Sequence, residues 1–460
     1  MPVNRTTSAP ELLLALARDG AVPLRAQLEA QVREAVGSGR LPAGMRLPSS
    51  RALAAELGVS RGVVVEAYGQ LVAEGYLAVR RGSAPVVAAV AERRPQPVPG
   101  AREAAPRYDL RPGTPDLALF PRRAWAAAQR RALAEALDAD LGYPDPAGHP
   151  ALRTALAEYL GRVRGVDADP SRIVVCGGVA EVLALVARVL RARGAVRLAV
   201  ETPSHHATRA LLTHHGMQLV AIGVDEDGID VAALAAADVD AVLVTPAHQF
   251  PTGVVLSAAR RAALAAWARR TGALVIEDDY DAEYRYDRQP VGAVQGLAPE
   301  HVVHAHSVSK TLAPGLRLGW AVLPSHMAAE VAAEKRLSDL GTPVLEQLTL
   351  AAFLARGELD RHLRQTRPLY RRRREALLRE LPELPAAGSP AGLHVLVGLP
   401  DGRAEADVVA AAAANGVAVE PLGPHGMPGT GGPALILGYS RLPEAALAEA
   451  ARRLRAAIAR

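Results

Sequence analysis

In "PLRAQLEAQVREAVGSGRL" the apolar residues Leu24, Leu28, Val32 and Val36 recur every fourth position, which predicts one helix with a single buried stripe. The next stretch, "PAGMRLPSSRALAAELGVSRGVVVEAYGQLVAEGYL", breaks that period twice. Ser49 and Ser50 open a short helix that stops at Gly58, and Ser60 caps another that turns Val63, Val64, Ala67, Leu71 and Val72 inward. Two short helices around a tight Gly-Val-Ser turn form a helix-turn-helix pattern. "GYLAVRRGSAPVVA" then changes to a period of two, a strand, a Gly-Ser turn and a strand, the hairpin of a wing.

Residues 88–107 lose all periodicity and are rich in proline and mixed charge, so a linker is expected there, separating a domain over 1–87 from one over 108–460. Beyond it, continuous apolar runs alternate with alanine-rich helical stretches: "RLAV", "MQLVAIGV", "AVLVTP", "ALVIEDD", "VVHAH" and "GWAVLP". That alternation predicts an α/β fold with a mainly parallel sheet covered on both faces. From about residue 330, long helices and the runs "GLHVLVGL" and "PALILGYS" predict a smaller α+β part.

At 460 residues, two or three domains are expected. No apolar run of about 18 residues is free of charges or helix breakers, and "MPVNRTTSAPELL" has no signal-peptide core, so a soluble, cytoplasmic protein without membrane segments is expected. The one cysteine, Cys176, excludes internal disulfides and a multi-cysteine metal site. Residues 1–108 hold 14 arginines against 9 acidic residues, while the rest of the chain is balanced. An anionic partner is therefore expected for the first quarter, with nucleic acid foremost.

Of the 53 basic residues only two are lysines, Lys310 and Lys335. Arginine replaces lysine for surface charge but cannot lose its proton, attack a carbonyl or form a Schiff base. Lys310 stands in "HAHSVSKTLAPGLRLGW" with Ser307, Ser309 and Arg317 close in sequence. Hydroxyls and an arginine fork beside an amine suit a ligand with both a carbonyl and a phosphate, and pyridoxal phosphate is one. Its ring nitrogen requires a carboxylate, which "ALVIEDDYDAEY" offers at the end of a strand. Asp278 is placed to hold the nitrogen and Tyr280, two residues on, faces the same side. Such a cluster lies where ligands of open α/β sheets bind, beyond the carboxyl ends of the strands. "IVVCGGVAEVLALVARVL" adds a glycine turn leading into a helix, aiming the amides of Gly178, Val179 and Ala180 at an anion.

Taken together, "RLPSSRALAAELGVSRGVVVEAYGQLVAEGYL", "YPDPAGHPALRTALAEYL", "TPAHQFPTG", "IEDDYDAEYRYD" and "SVSKTLAPGLRLGW" resemble the MocR/GabR subfamily of GntR-type regulators. In that subfamily a winged helix-turn-helix is fused to a fold-type-I aminotransferase-like domain. The resemblance implies a Schiff base between Lys310 and pyridoxal phosphate, Asp278 on the pyridine nitrogen and Tyr280 on the ring oxygen. It also implies that Ser307, Ser309, Arg317 and the backbone near Gly178 hold the phosphate, with Tyr143 reaching it from the second subunit of a homodimer. His205 stands where an aromatic ring usually stacks on the cofactor, and "HQFPTG" leaves His248 or Gln249 near the cofactor edge. Aminotransferases carry a carboxylate-binding arginine just before the segment matching "LGYS", where this chain has Leu435 and Ile436, with Arg441 out of place.

For double-stranded DNA, Arg51, Ser60 and Arg61 match positions facing DNA in winged-helix relatives, with Arg46, Arg80 and Arg81 adding charge and Ser49 at the helix start. Arginine reads guanine edges bidentately, and phosphate contacts set register and salt dependence. In "HVVHAH", His304 and His306 share one face, but no carboxylate or cysteine pattern completes a metal site, and none is expected. The chain is therefore read as a regulator sensing an amine, an amino acid or pyridoxal phosphate itself. An active aminotransferase with a DNA-binding appendage, and a repressor whose large domain has lost its cofactor, are the alternatives.

Overall fold

The computed structural model of the chain describes residues 12, 14–18, 22–79, 84–88, 106–286, 292–426 and 432–459. The chain divides into two compact units, residues 1–103 and 104–460.

The first unit contains α1 (Leu24–Gly37), α2 (Ser50–Leu57), α3 (Arg61–Ala73) and the antiparallel pair β1 (Leu77–Ala78) and β2 (Val86–Val87). Leu28, Val32 and Val36 of the α1 stripe pack on Leu53, Val64, Ala67 and Leu71 in one core. α2 starts where the Ser49 hydroxyl accepts the Ala52 amide at 3.2 Å, and it stops at Gly58 in the left-handed conformation, φ 64°. Ser60 occupies the first position before α3, but its side chain makes no capping bond. Val63 and Val72 are only half-buried. Tyr68 goes inward in their place, and its hydroxyl donates to the Pro48 carbonyl at 3.0 Å. Arg80, Arg81 and residues 89–105 of the expected linker lie outside the described residues.

The second unit begins with β3 (Tyr108–Asp109), α4 (Arg122–Glu135) and α5 (Pro150–Arg164). Its central sheet is built from β4 (Ile173–Cys176), α6 (Val179–Ala192), β5 (Arg197–Thr202), α7 (His206–His214), β6 (Gln218–Asp225), β7 (Gly228–Ile229), α8 (Val231–Ala236), β8 (Ala241–Val244), α9 (Ala258–Thr271), β9 (Leu274–Asp278), β10 (Val302–Ser307) and β11 (Gly319–Val322). The strand order is β4-β11-β10-β9-β8-β5-β6-β7. Neighbours from β10 to β6 are parallel, while β11 and β7 run against their neighbours. Leu243 and Ile276 pack into one core with α6, whereas Val242, Val244 and Val275 pack into another with α9. Both faces are covered, which explains apolar runs without polar alternation.

After α10 (Ser325–Asp339), α11 (Val344–Ala355) and α12 (Glu358–Arg379), a second sheet forms in the order β12-β13-β16-β15. It comprises β12 (Ala386–Ala387), β13 (His394–Gly398), β15 (Glu420–Pro421) and β16 (Ala434–Gly438), flanked by α13 (Glu405–Ala414) and α14 (Glu444–Ile458). β3 pairs in parallel with β14 (Val417–Ala418), so the start of this unit packs with its C-terminal part. No helix among the described residues is long and apolar enough to cross a membrane.

Candidate cofactor site and nucleic-acid surface

The parallel strands β5, β8, β9 and β10 end side by side, and a cavity of about 290 Å³ opens beyond their carboxyl ends. Glu201, Thr245, Asp278 and Ser307, one from each strand end, line it. The cavity also brings together Val179, Ala180, His205, Tyr280, Ser309, Lys310 and Arg317, residues scattered over more than 130 positions of sequence.

Lys310 follows β10 by three residues, and its ammonium donates to the Gly113 carbonyl at 2.6 Å. Burial pulls its pKa below the ordinary lysine range, while Asp278 and Asp281 pull the other way. Asp278 is pushed up to about 7 by burial, with the charge of Lys310 opposing. Its Oδ1 is buried and has no hydrogen-bond partner. An unpaired carboxyl oxygen at the end of a central strand is a socket for a cationic or hydrogen-donating group. Tyr280 lines the same wall, but its hydroxyl is turned to the His248 carbonyl, at 2.8 Å.

On the opposite side, Gly178 has φ 126° and ψ 173°, a conformation open only to glycine. A Cβ there would lie 3.0 Å from the Arg317 guanidinium. Arg317 itself holds a left-handed backbone at φ 50°, strain that persists where surrounding structure enforces it. The guanidinium thus faces the start of α6, where the Val179 and Ala180 amides have no acceptor within the helix. Glycine turn, helix dipole and arginine fork converge on one anion position. His205 lines the cavity beside Phe250, ring centroids 5.2 Å apart, and burial together with His425 and His206 holds it below the usual histidine range.

Some expected residues fall elsewhere. His248 does not line the cavity: it is buried behind Tyr280, with Nδ1 3.0 Å from Asp281 Oδ2. Gln249 is also turned away, bonding Glu201 and the Pro203 and Phe250 carbonyls, so Phe250 is the residue of "HQFPTG" that faces the cavity. Tyr143 is 89% exposed and outside the cavity of its own chain. His304 and His306 meet carboxylates that their own stretch of sequence does not contain: His304 Nε2 is 3.0 Å from Asp279 Oδ2, and His306 Nε2 is 2.9 Å from Glu283 Oε1. Those acids come from the loop after β9, a strand adjacent in space but 23 to 25 positions back in sequence. Asp279 also takes a bidentate contact from buried Arg164, so these histidines belong to an ion network.

The cavity also contains residues that sequence reading passed over. Glu201 is buried, raised to about 7 by desolvation, and accepts from Thr245 and Gln249. Its signal was an acid at the end of a strand in "AVETPSHH". A lone histidine in the apolar run "GLHVLVGL", His394, was a second such signal, whereas Gly113 and Glu420 are brought in by long-range packing that leaves none.

In the first unit, Arg46, Ser49, Arg51, Ser60 and Arg61 are exposed. Among the described residues, Arg25 and Arg33 are tied to Glu29, Glu66 and Glu74, whereas Arg46, Arg51 and Arg61 make no ion pair. Arg46 lies on a segment that pairs with Val86 of the wing hairpin. Unpaired exposed arginines near the start of α2 and α3 are available to an external polyanion.

Comparison with known proteins adds to this geometry. Residues 24–87 match bacterial regulatory proteins of the gntR family, and residues 109–454 match aminotransferase class I and II. The chain is 36% identical over 386 residues to the HTH-type pyridoxine biosynthesis transcriptional regulator PdxR of Corynebacterium glutamicum, covering 81% of this chain and 82% of that protein. It is 34% identical over 390 residues to the probable rhizopine catabolism regulatory protein MocR of Rhizobium meliloti, covering 80% and 78%. Among solved structures, the kynurenine aminotransferase of Pyrococcus horikoshii, in complex with PMP, is similar at a TM-score of 0.70 and 26% identity, covering 76% of this chain and 90% of that one. The α-aminoadipate aminotransferase LysN of Thermus thermophilus, complexed with N-(5'-phosphopyridoxyl)-L-leucine, is similar at 0.69 and 27%, covering 76% and 92%.

Proposed function

Because the chain belongs to the MocR/GabR subfamily of GntR-type regulators, with a helix-turn-helix joined to a class I/II aminotransferase domain, we propose that it regulates transcription by binding operator DNA and sensing a small molecule through bound pyridoxal phosphate. The observation that carries this reading is the pairing of a buried amine with a buried, unpartnered carboxyl oxygen in one cavity, Lys310 with Asp278. The residues fit the cofactor. Lys310 would hold its aldehyde carbon, Asp278 its ring nitrogen, and Tyr280 stands beside its ring oxygen. Arg317, Ser307, Ser309 and the amides of Gly178, Val179 and Ala180 would hold its phosphate, with His205 against the ring face. When bound, the cofactor supplies an electrophilic carbon for primary amines and a ring that withdraws electrons.

The chain's own groups prepare that site. Burial favours the neutral amine of Lys310, the nucleophilic form. Asp278 stays available for a ring proton because no neighbour occupies its Oδ1. Of the guanidiniums near the cavity, Arg317 faces the glycine turn and is assigned to the phosphate, and the other two already have partners. Arg209 donates to the carbonyls of Ser204, Pro424, His425 and Gly426. Arg441, whose charge reaches Lys310, donates to Asp109 and Thr114. Leu435 and Ile436 are fully buried in β16. A signal that needs no free cation is favoured, an amine or pyridoxal phosphate itself, over an amino acid gripped by its carboxylate. The PdxR relative, named for pyridoxine biosynthesis, supports the second of these. Leu137, Leu141 and Tyr143, 68%, 61% and 89% exposed, support a homodimer in which Tyr143 serves the partner's site.

Regulation requires that the ligand bind one arrangement of the units better than another. Operator affinity of the cofactor-loaded and cofactor-stripped protein tests this, and a change of about fivefold or more is expected. Identical affinities in every cofactor and ligand state contradict switching. Rapid conversion to the pyridoxamine form with glutamate or alanine would instead identify an aminotransferase.

A further inference from the structure

The second of the chain's two lysines is buried as completely as the sheet interior. The Lys335 side chain, on α10, is 0% exposed, and its ammonium donates to Glu181 Oε1 at 2.7 Å and to Asp339 Oδ2 at 2.8 Å. Asp339 is held in turn by the Gly341 amide at 2.8 Å. Glu181 stands in the first turn of α6, and its other oxygen, Oε2, accepts the amide of Gly177. An unbroken line of charge-assisted hydrogen bonds therefore runs from α10 to the glycine turn that faces Arg317.

That line solves an electrostatic problem. Glu181 sets a carboxylate within one turn of the helix start proposed to receive a phosphate, and its side chain is only 24% exposed, so solvent screens it weakly. Left alone, it would repel the anion that the amides of Val179 and Ala180 attract. A buried ammonium, shared with Asp339, offsets that charge through Oε1, while Oε2 holds the amide of Gly177.

We infer that Lys335 is a positioning residue for the cofactor phosphate. Acting through Glu181, it fixes the turn at Gly177 and Gly178 and offsets the negative charge of the carboxylate at that helix start. This rests on the reading that the cavity takes pyridoxal phosphate, and it involves neither the ring nor Lys310.

The test compares full-length wild type, Lys335→Met, Glu181→Gln and the double variant for affinity toward pyridoxal phosphate and toward pyridoxal, which lacks the phosphate, by absorbance titration. Lys335→Met should lose roughly 10- to 100-fold in affinity for pyridoxal phosphate, as expected for a buried charge left unpaired beside an anion, with pyridoxal affinity nearly unchanged. The double variant should recover to within about threefold of wild type, and Glu181→Gln should bind the phosphate form at least as well as wild type. Equal loss for both ligands, no loss in Lys335→Met, no recovery in the double variant, or a tenfold loss in Glu181→Gln overturns the inference. Wild type that binds neither ligand, or binds both equally, overturns the cofactor reading itself.

Discussion

Replacing Asp278 by asparagine should change stability in opposite directions with and without cofactor. Asp278 is partly buried in the cavity wall, and burial moves its carboxyl from the ordinary value of 3.8 to about 7. That interval of about three pH units corresponds to about 4 kcal/mol against ionising the group in the folded, cofactor-free protein. Between about pH 4 and pH 7 the folded carboxyl keeps a proton that the unfolded chain has lost, so stability falls as pH rises through that window and levels off above it. Asparagine mimics the protonated acid in shape and cannot ionise. In urea unfolding without cofactor, Asp278→Asn should match wild type near pH 4 and exceed it by up to about 4 kcal/mol near pH 8. Glu201, also raised to about 7 by burial, should leave the variant a residual slope of the same sign. With pyridoxal phosphate present the order should reverse, because the wild-type carboxylate gains a cationic partner and asparagine does not. A variant that is less stable than wild type at pH 8 without cofactor, with an unchanged pH slope, would refute the reasoning.

Arg51→Ala and Arg61→Ala should each weaken operator binding. Loss of a phosphate contact lowers the slope of log affinity against log salt by about one, and loss of a base contact costs about 1–3 kcal/mol at the cognate sequence, which titrations at several salt concentrations will separate. Ser49→Ala, which removes the bond to the Ala52 amide, should destabilise the DNA-binding unit by about 1 kcal/mol in thermal unfolding without altering cofactor affinity. Arg164→Met breaks the buried bidentate pair with Asp279 and should cost about 3–5 kcal/mol in urea unfolding, since it leaves a carboxylate enclosed beside only His304 and His306.

The parts legible in the sequence were those set by local rules. Ser49 and Gly58 bound α2 as cap chemistry requires, and uninterrupted apolar runs became the central strands. Lys310, Asp278 and Arg317 carried their chemistry in residue type and neighbourhood, and all three line one cavity. What escaped depends on contacts far apart in the chain. Gly113 meets Lys310 across 197 positions, and the carboxylates facing His304 and His306 come from a neighbouring strand's loop. Glu181 and Lys335, 154 positions apart, look like ordinary helix surface charges until α6 and α10 pack together. Ser60 shows the converse limit, since a cap-forming residue in the right place makes no cap bond.

The most direct test of the whole account is to load the purified protein with pyridoxal phosphate, reduce it with borohydride, digest it and map the added mass. Lys310, Lys335 and the N-terminus are its only primary amines. A phosphopyridoxyl group on the peptide containing Lys310, and not on Lys335, is the predicted result. An unmodified Lys310, or a label on Lys335 instead, would contradict it.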